Sequence, residues 1–201
     1  MPKKQVSSER KQVQSHHPSN WPSVVRFIQS PAYHVSVPAA VRSHIEGSCI
    51  SLKNNQIPIS KDAKVVIRRI TDTSHPAFGQ FGLFAGQRIP PKMHIIYYFG
   101  EIHCDDRSDS NYDLSLCRLD GEINVGIDAH GMGNQARFVN DYRGIADKPN
   151  SIFVDGRLNS GALSMTIWSG NQEIKKGQEI LVSYGKSWWQ SRRSGPADGE
   201  S

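Results

Sequence analysis

Residues 133–150 read GNQARFVNDYRGIADKPN. Asn134, Arg137, Asn140, Asp141, Arg143 and Asp147 crowd a short apolar patch at Phe138 and Val139. Each polar group that is buried needs a partner, because leaving one unpaired costs about 1–3 kcal/mol. The stretch is therefore either an ordinary surface loop or a segment whose polar groups serve something bound there. The flanking sequence decides between the two.

Working outward, short β-type runs dominate from residue 64 onward: KVVIRRI (64–70), MHIIYYFGEI (93–102), INVGI (123–127), ALSMTIWS (162–169) and EILVSYG (179–185). Glycines and prolines separate most of them, among them Gly79, Gly82, Gly86, Pro90, Pro91, Gly121 and Gly170. Such punctuation predicts a mainly β fold of short strands. One short helix is expected near residues 39–46, and a turn at Lys176–Gly177 before the last strand. The segment FGQFGLFA (78–85) sets two glycines among aromatics, where backbone can approach a ligand closely. It lacks the GxGxxG spacing of a dinucleotide fingerprint, and alone it reads as a glycine-rich turn.

Composition sets bounds. The 201 residues allow one domain with tails, and the hydrophobic fraction of 37% is low enough to leave part of the chain outside the core. No apolar run approaches the roughly 18 residues that span a bilayer, and the polar start MPKKQVSSER lacks a signal-peptide core. Cys49, Cys104 and Cys117 are odd in number and form no CxxC pair. The expectation is a reducing, intracellular compartment with neither a disulfide framework nor a metal site. The net charge of +5 sits mostly in the tails: residues 1–19 carry +3 and residues 186–201 carry +1. A nucleic-acid groove therefore has only tail charge behind it. Residues 99–130 run the other way, with eight carboxylates against Arg107 and Arg118. That run reads as a solvated loop, or as a rim whose field attracts a basic partner.

Taken in order, GLFA, YFGEI, YDLSL, IDAxxxGNQARFVN, PN and IKKGQEILVSYG resemble the SET domain of protein lysine methyltransferases. The resemblance covers roughly residues 64–185. It departs at one place, where the family's NHSC is here Asn140, Asp141, Tyr142 and Arg143.

The resemblance implies a SET-domain β-clip fold of small sheets closed by a C-terminal pseudoknot, and S-adenosylmethionine as cofactor. It implies cofactor contacts from Gly79, Gln80, Phe81 and Gly82, and from Tyr112, Arg137, Asn140 and Asp141. For Asp141 and Arg143 the residues also allow a local ion pair that holds the loop. Tyr184 matches the catalytic tyrosine, and Phe153 and Val182 match positions on the wall of the substrate channel. Neither wall residue carries a hydroxyl, so the product is expected not to stop at monomethyl-lysine. The family's cysteine-rich flanks are missing, which implies a zinc-free variant. Trp188 is expected to help close the cofactor pocket, and Trp189 or Trp188 to cap the core.

The expected division is a disordered basic tail (1–20), a flanking segment (21–63), the SET domain (64–186) and an aromatic, basic tail (187–201). The implied function is methylation of a lysine in a basic, histone-like protein segment, with the nucleus as the expected location. No membrane partner and no direct nucleic-acid site are expected. The second reading is a SET-like module that binds a basic tail or the cofactor without turnover. The Asp141–Tyr142–Arg143 departure favours it, and Asn140 and Tyr184 favour the enzyme.

Overall fold

Short strands separated by turns make up most of the computed structural model, which describes residues 17–47, 62–158 and 160–185. The first part contains β1 (Arg26–Phe27), β2 (Ala32–Tyr33), α1 (Ala39–Glu46), β3 (Val65–Arg69), β4 (Phe81–Ala85), β5 (His94–Tyr97) and β6 (Glu101–His103). Next come β7 (Asp113–Leu119), β8 (Ile123–Asp128), β9 (Met132–Gly133), a 3-10 turn at Gln135–Phe138 and β10 (Asn140–Asp141). The chain continues through β11 (Ser151–Arg157), β12 (Leu163–Ser169) and β13 (Leu181–Val182). Trp188, Trp189 and Cys49 lie outside the described residues, as does most of the expected basic tail.

These strands form five small sheets. β3 pairs antiparallel with β4, β5 joins β12 and β11, and β2, β6, β8 and β7 lie in that order. β1 pairs parallel with β9, and β10 pairs parallel with β13. Two strands from the segment expected to flank the domain, β1 and β2, each pair with a strand from beyond residue 100.

The core draws buried side chains from four of the five sheets and from the loops between them. Leu83, Ile89, Ile95, Val125, Ile167, Ile174, Ile180 and Val182 are fully buried there. β12 is buried on both faces at Met165, Thr166 and Ile167. A hydroxyl in such a place must be bonded, and Thr166 Oγ1 donates to the Val154 carbonyl at 2.7 Å.

The helix α1 sits where the sequence predicts it. Pro38 precedes it in an extended conformation, and Val41 and Ile45, one turn apart, bury its inner face. Gly47 ends it at φ +79°, the left-handed geometry that favours glycine. A side chain there would also come within 2.4 Å of the Gly161 carbonyl, so the position has two reasons to be glycine.

The acidic run corrects the sequence reading. Residues 99–130 are not a single loop: β6, β7 and β8 occupy half of them, and their carboxylates are partly used inside the fold. Arg107 sits among Glu101 (3.1 Å), Asp105 (3.0 Å) and Asp128 (3.3 Å). Burial works against charge on Asp105, but hydrogen bonds from Arg107 and Ser36 outweigh it and hold the carboxyl below the usual range. Its stabilising contribution is therefore present above the ordinary aspartate pKa of about 3.9 and is lost as pH falls through the lower folded value.

Asp128, 5% exposed, also accepts from Ser110 Oγ and from the His130 N–H. Ser110 Oγ in turn accepts the Tyr112 N–H at 3.1 Å, so the Arg107 cluster fixes Tyr112 in place. Arg107→Met leaves Asp128 buried without its cation and is expected to cost about 1–3 kcal/mol after allowing for the cluster's partial exposure. A denaturant melt at neutral pH checks this; an unchanged midpoint would make the cluster a surface ornament.

Candidate active site

The opening stretch and the C-terminal strand cross. β13 lies parallel to β10, with Asn140 opposite Leu181 and Asp141 opposite Val182. On its other side, Asn150 Nδ2 donates to the Glu179 carbonyl at 2.7 Å and Asn150 Oδ1 accepts the Leu181 N–H at 2.8 Å. Ser151 Oγ adds a bond to the Leu181 carbonyl at 2.8 Å. Residues 179–184 thus run between two parts of one loop, bonded on both sides.

Much of the polar density in 133–150 is satisfied by the protein itself. Asn134 bridges the end of β5 by donating to the Tyr97 carbonyl and accepting the Phe99 N–H. Arg137 is buried, donates through Nε to the Ala129 carbonyl at 2.9 Å and stacks over the Tyr112 ring at 4.2 Å. Asp141 accepts the Tyr184 N–H at 2.8 Å and the Arg143 N–H at 2.9 Å, and it pairs with the Arg143 guanidinium at 2.8 Å. The local ion pair is present, and it also ties the loop to Tyr184.

Two adjacent spaces lie beside the crossing and share part of their walls. The larger is a cleft of about 500 Å³. One wall comes from the loop before β4 (His75, Pro76, Ala77 and Gln80) and the first residue of β4 (Phe81), and another from Phe138, Asn140, Asp141, Arg143 and Ile145. The smaller is a gap of about 20 Å³ walled by Tyr98, Leu114, Val139 and Phe153. Asn111, Tyr112, Arg137 and Tyr184 line both spaces.

Tyr184 stands at this junction. Its hydroxyl donates to the Val139 carbonyl at 2.7 Å. Burial first, and then the nearby Asp141 charge, push its ionisation well above the usual tyrosine range, so the phenol stays protonated near neutral pH. Tyr98 is likewise raised well above the usual range, by burial first and then by the neighbouring Tyr184, and it donates to the Tyr112 carbonyl at 2.7 Å.

Of the residues singled out from sequence, Gln80, Phe81, Tyr112, Arg137, Asn140, Asp141 and Tyr184 line the cleft, and Phe153 lines the gap. Gly79, Gly82 and Val182 line neither. Val182 is fully buried in the core behind β10. Gly82 has a packing reason instead, since a side chain there would lie 2.5 Å from Glu179 Oε1 and 3.2 Å from Asn140 Nδ2.

Sequence reasoning missed His75 and Tyr98. Tyr98 lay hidden within a strand-like run, and His75 had only its place just before a proline and a glycine segment as a signal. Glu179 was seen only as part of the terminal motif. It accepts from the Asn140 amide at 2.8 Å and meets His75 Nε2 at 3.1 Å. Among the described residues no group of His, Cys, Asp and Glu side chains is arranged to hold a metal.

The sequence model of the SET domain family matches residues 80–185, more than half of the chain. No curated protein matches. The fold is similar to that of ATXR5, solved in complex with mono-methylated histone H3.1, with a TM-score of 0.59 and 17% identity over 80% of each chain. It is also similar to a chain of the Chaetomium thermophilum Polycomb Repressive Complex 2 bound to GSK126, with a TM-score of 0.52 and 22% identity. That match takes in 66% of this chain but only 17% of the Polycomb chain.

Proposed function

Because the chain belongs to the SET-domain family, we propose that it is an S-adenosylmethionine-dependent protein lysine N-methyltransferase acting on a basic, histone-like segment. The observation that carries the proposal is the meeting of a cofactor-sized cleft and a narrow aromatic gap at one protonated phenol. Methyl transfer to an amine is an in-line displacement, so donor and acceptor must approach from opposite sides of one point. The family fold and histone-modifying relatives of the same fold support a methyltransferase, and we place its work in the nucleus. Residues 64–186 are taken as the domain proper.

The residues of the cleft fit the proposed cofactor. Asn140 presents its amide on the cleft wall, and no donor of the described residues meets its Oδ1, leaving an acceptor for a ligand ammonium. Gln80, Phe81 and Tyr112 would form the remaining contacts, with Arg137 holding Tyr112 in place. When bound, S-adenosylmethionine supplies an electrophilic methyl group on a cationic sulfur.

The chain's own groups do the rest. The gap among Tyr98, Tyr112 and Phe153 excludes water from a lysine side chain. Such burial favours the neutral, nucleophilic amine over its ordinary form, which has a pKa of about 10.4. Aromatic walls also tolerate the cationic methylated product. The Tyr184 hydrogen is engaged with Val139, so its oxygen faces the junction as an acceptor that can orient the amine. With its ionisation raised, Tyr184 orients and does not take the proton.

The Asp141–Arg143 pair favours a second reading, a module that binds cofactor or a basic tail without turnover, because two charged groups stand in the cleft wall where the family carries neutral residues. Incubation with methyl-labelled S-adenosylmethionine and a histone mixture separates the two. Label on lysine supports the enzyme, whereas tight cofactor binding with no transfer supports the module.

A further inference from the structure

Behind the cleft wall one line of hydrogen bonds runs from a loop backbone to Asn140. The Ala77 N–H donates to His75 Nδ1 at 3.0 Å, so this nitrogen is the acceptor and the ring proton sits on Nε2. Nε2 then donates to Glu179 Oε2 at 3.1 Å. A carboxylate only accepts, so Asn140 must meet Glu179 Oε1 with its amide nitrogen, and it does so at 2.8 Å. The same nitrogen lies 3.5 Å from the Phe81 carbonyl, a second acceptor. Every partner on that side demands a donor, and the amide has only one other edge to turn outward.

His75 and Glu179 have little freedom to depart from this order. Their side chains are 8% and 10% exposed, and each faces a partner it would leave unsatisfied by rotating. Gly82 keeps the space open, because a side chain there would displace Glu179 Oε1. His75 also forms part of the cleft wall, next to the loop residues Pro76 and Ala77.

We propose that His75 is a positioning residue for cofactor recognition: acting through Glu179, it locks the Asn140 carbonyl oxygen toward the cleft, so that the site selects a ligand carrying a cationic amine there. The inference rests on the proposed function, whose cofactor has an ammonium at its amino-acid end. Without the His75 donor, Glu179 is free to swing away from Asn140, which leaves the amide held only by the long 3.5 Å contact to the Phe81 carbonyl and able to flip. A flipped amide presents N–H groups to the cleft, which repel an ammonium and leave a ligand without one unaffected.

The test compares two ligands on the full chain by calorimetry. S-adenosylhomocysteine keeps the amino-acid end, and 5′-methylthioadenosine lacks it. His75→Leu is expected to weaken the first about tenfold and to leave the second within about twofold. His75→Gln, whose amide can donate to Glu179, is expected to restore most of the loss. Equal weakening of both ligands would make His75 a mere wall of the cleft, and no weakening of either would remove its role; both overturn the proposal. Should His75→Leu fail to fold, Glu179→Gln decides on the same two ligands. Its side chain offers donor and acceptor alike and no longer dictates the Asn140 orientation, so the same selective loss is expected and its absence overturns the idea. An unmutated chain that binds neither ligand defeats the proposed function itself.

Discussion

Tyr184→Phe is expected to lower turnover by about 10²-fold or more while cofactor affinity stays within a few-fold of the unmutated chain. The ring still fills the junction between cleft and gap, so the walls keep their shape. What disappears is one oxygen, and with it the acceptor proposed to orient the amine. The Val139 carbonyl also loses its donor at 2.7 Å. That loss costs about 1–3 kcal/mol, which lowers the melting temperature by a few degrees in a chain of this size. Single-turnover rates with a labelled histone peptide, beside a thermal melt, separate the two effects. A variant that melts lower but turns over at the normal rate would make Tyr184 a structural residue.

Gly82→Ala should have the next largest effect. The new methyl would lie 2.5 Å from Glu179 Oε1, 3.0 Å from the Phe84 ring and 3.2 Å from Asn140 Nδ2. Glu179 can give way only by breaking its bonds to His75 and Asn140. The expected result is a loss of about 1–3 kcal/mol in stability together with at least about tenfold weaker binding of S-adenosylhomocysteine. Gly79→Ala is the control. Gly79 has φ +81° but no atom of the described residues within 4 Å of an added methyl, so the change carries only backbone strain of about 1 kcal/mol and should spare ligand affinity. If the two variants bind the ligand equally well, the Glu179–Asn140 contact is not needed for recognition.

The product expectation drawn from Val182 rests on a residue that faces the core. Val182 is fully buried and lines neither space, whereas Tyr98, which does line the gap, carries a hydroxyl already engaged with the Tyr112 carbonyl. For the proposed reaction, the number of methyl groups added is therefore better sought in the walls formed by Tyr98, Tyr112 and Phe153.

By itself the sequence determined what depends on near neighbours. The strand runs and the helix at Ala39–Glu46 follow from local pattern and punctuation, and the two-residue spacing of Asp141 and Arg143 allowed the ion pair that the structure contains. The order of motifs was enough to name the family, and the structure sets Tyr184, Asn140 and Phe153 in the walls of the cleft or the gap. Only the tertiary structure decided which groups meet across long stretches of chain. His75 and Glu179 are 104 residues apart, and Gly82 reads as a ligand contact until its neighbours Glu179 and Asn140 are in place. The acidic run looked unpaired because charge along a chain says nothing of folding partners, yet β-pairing brings Glu101 and Asp128 opposite each other beside Arg107. A hydrogen-bond partner is chosen by where the backbone returns, and short strands in small sheets leave that return almost unmarked in the residues themselves.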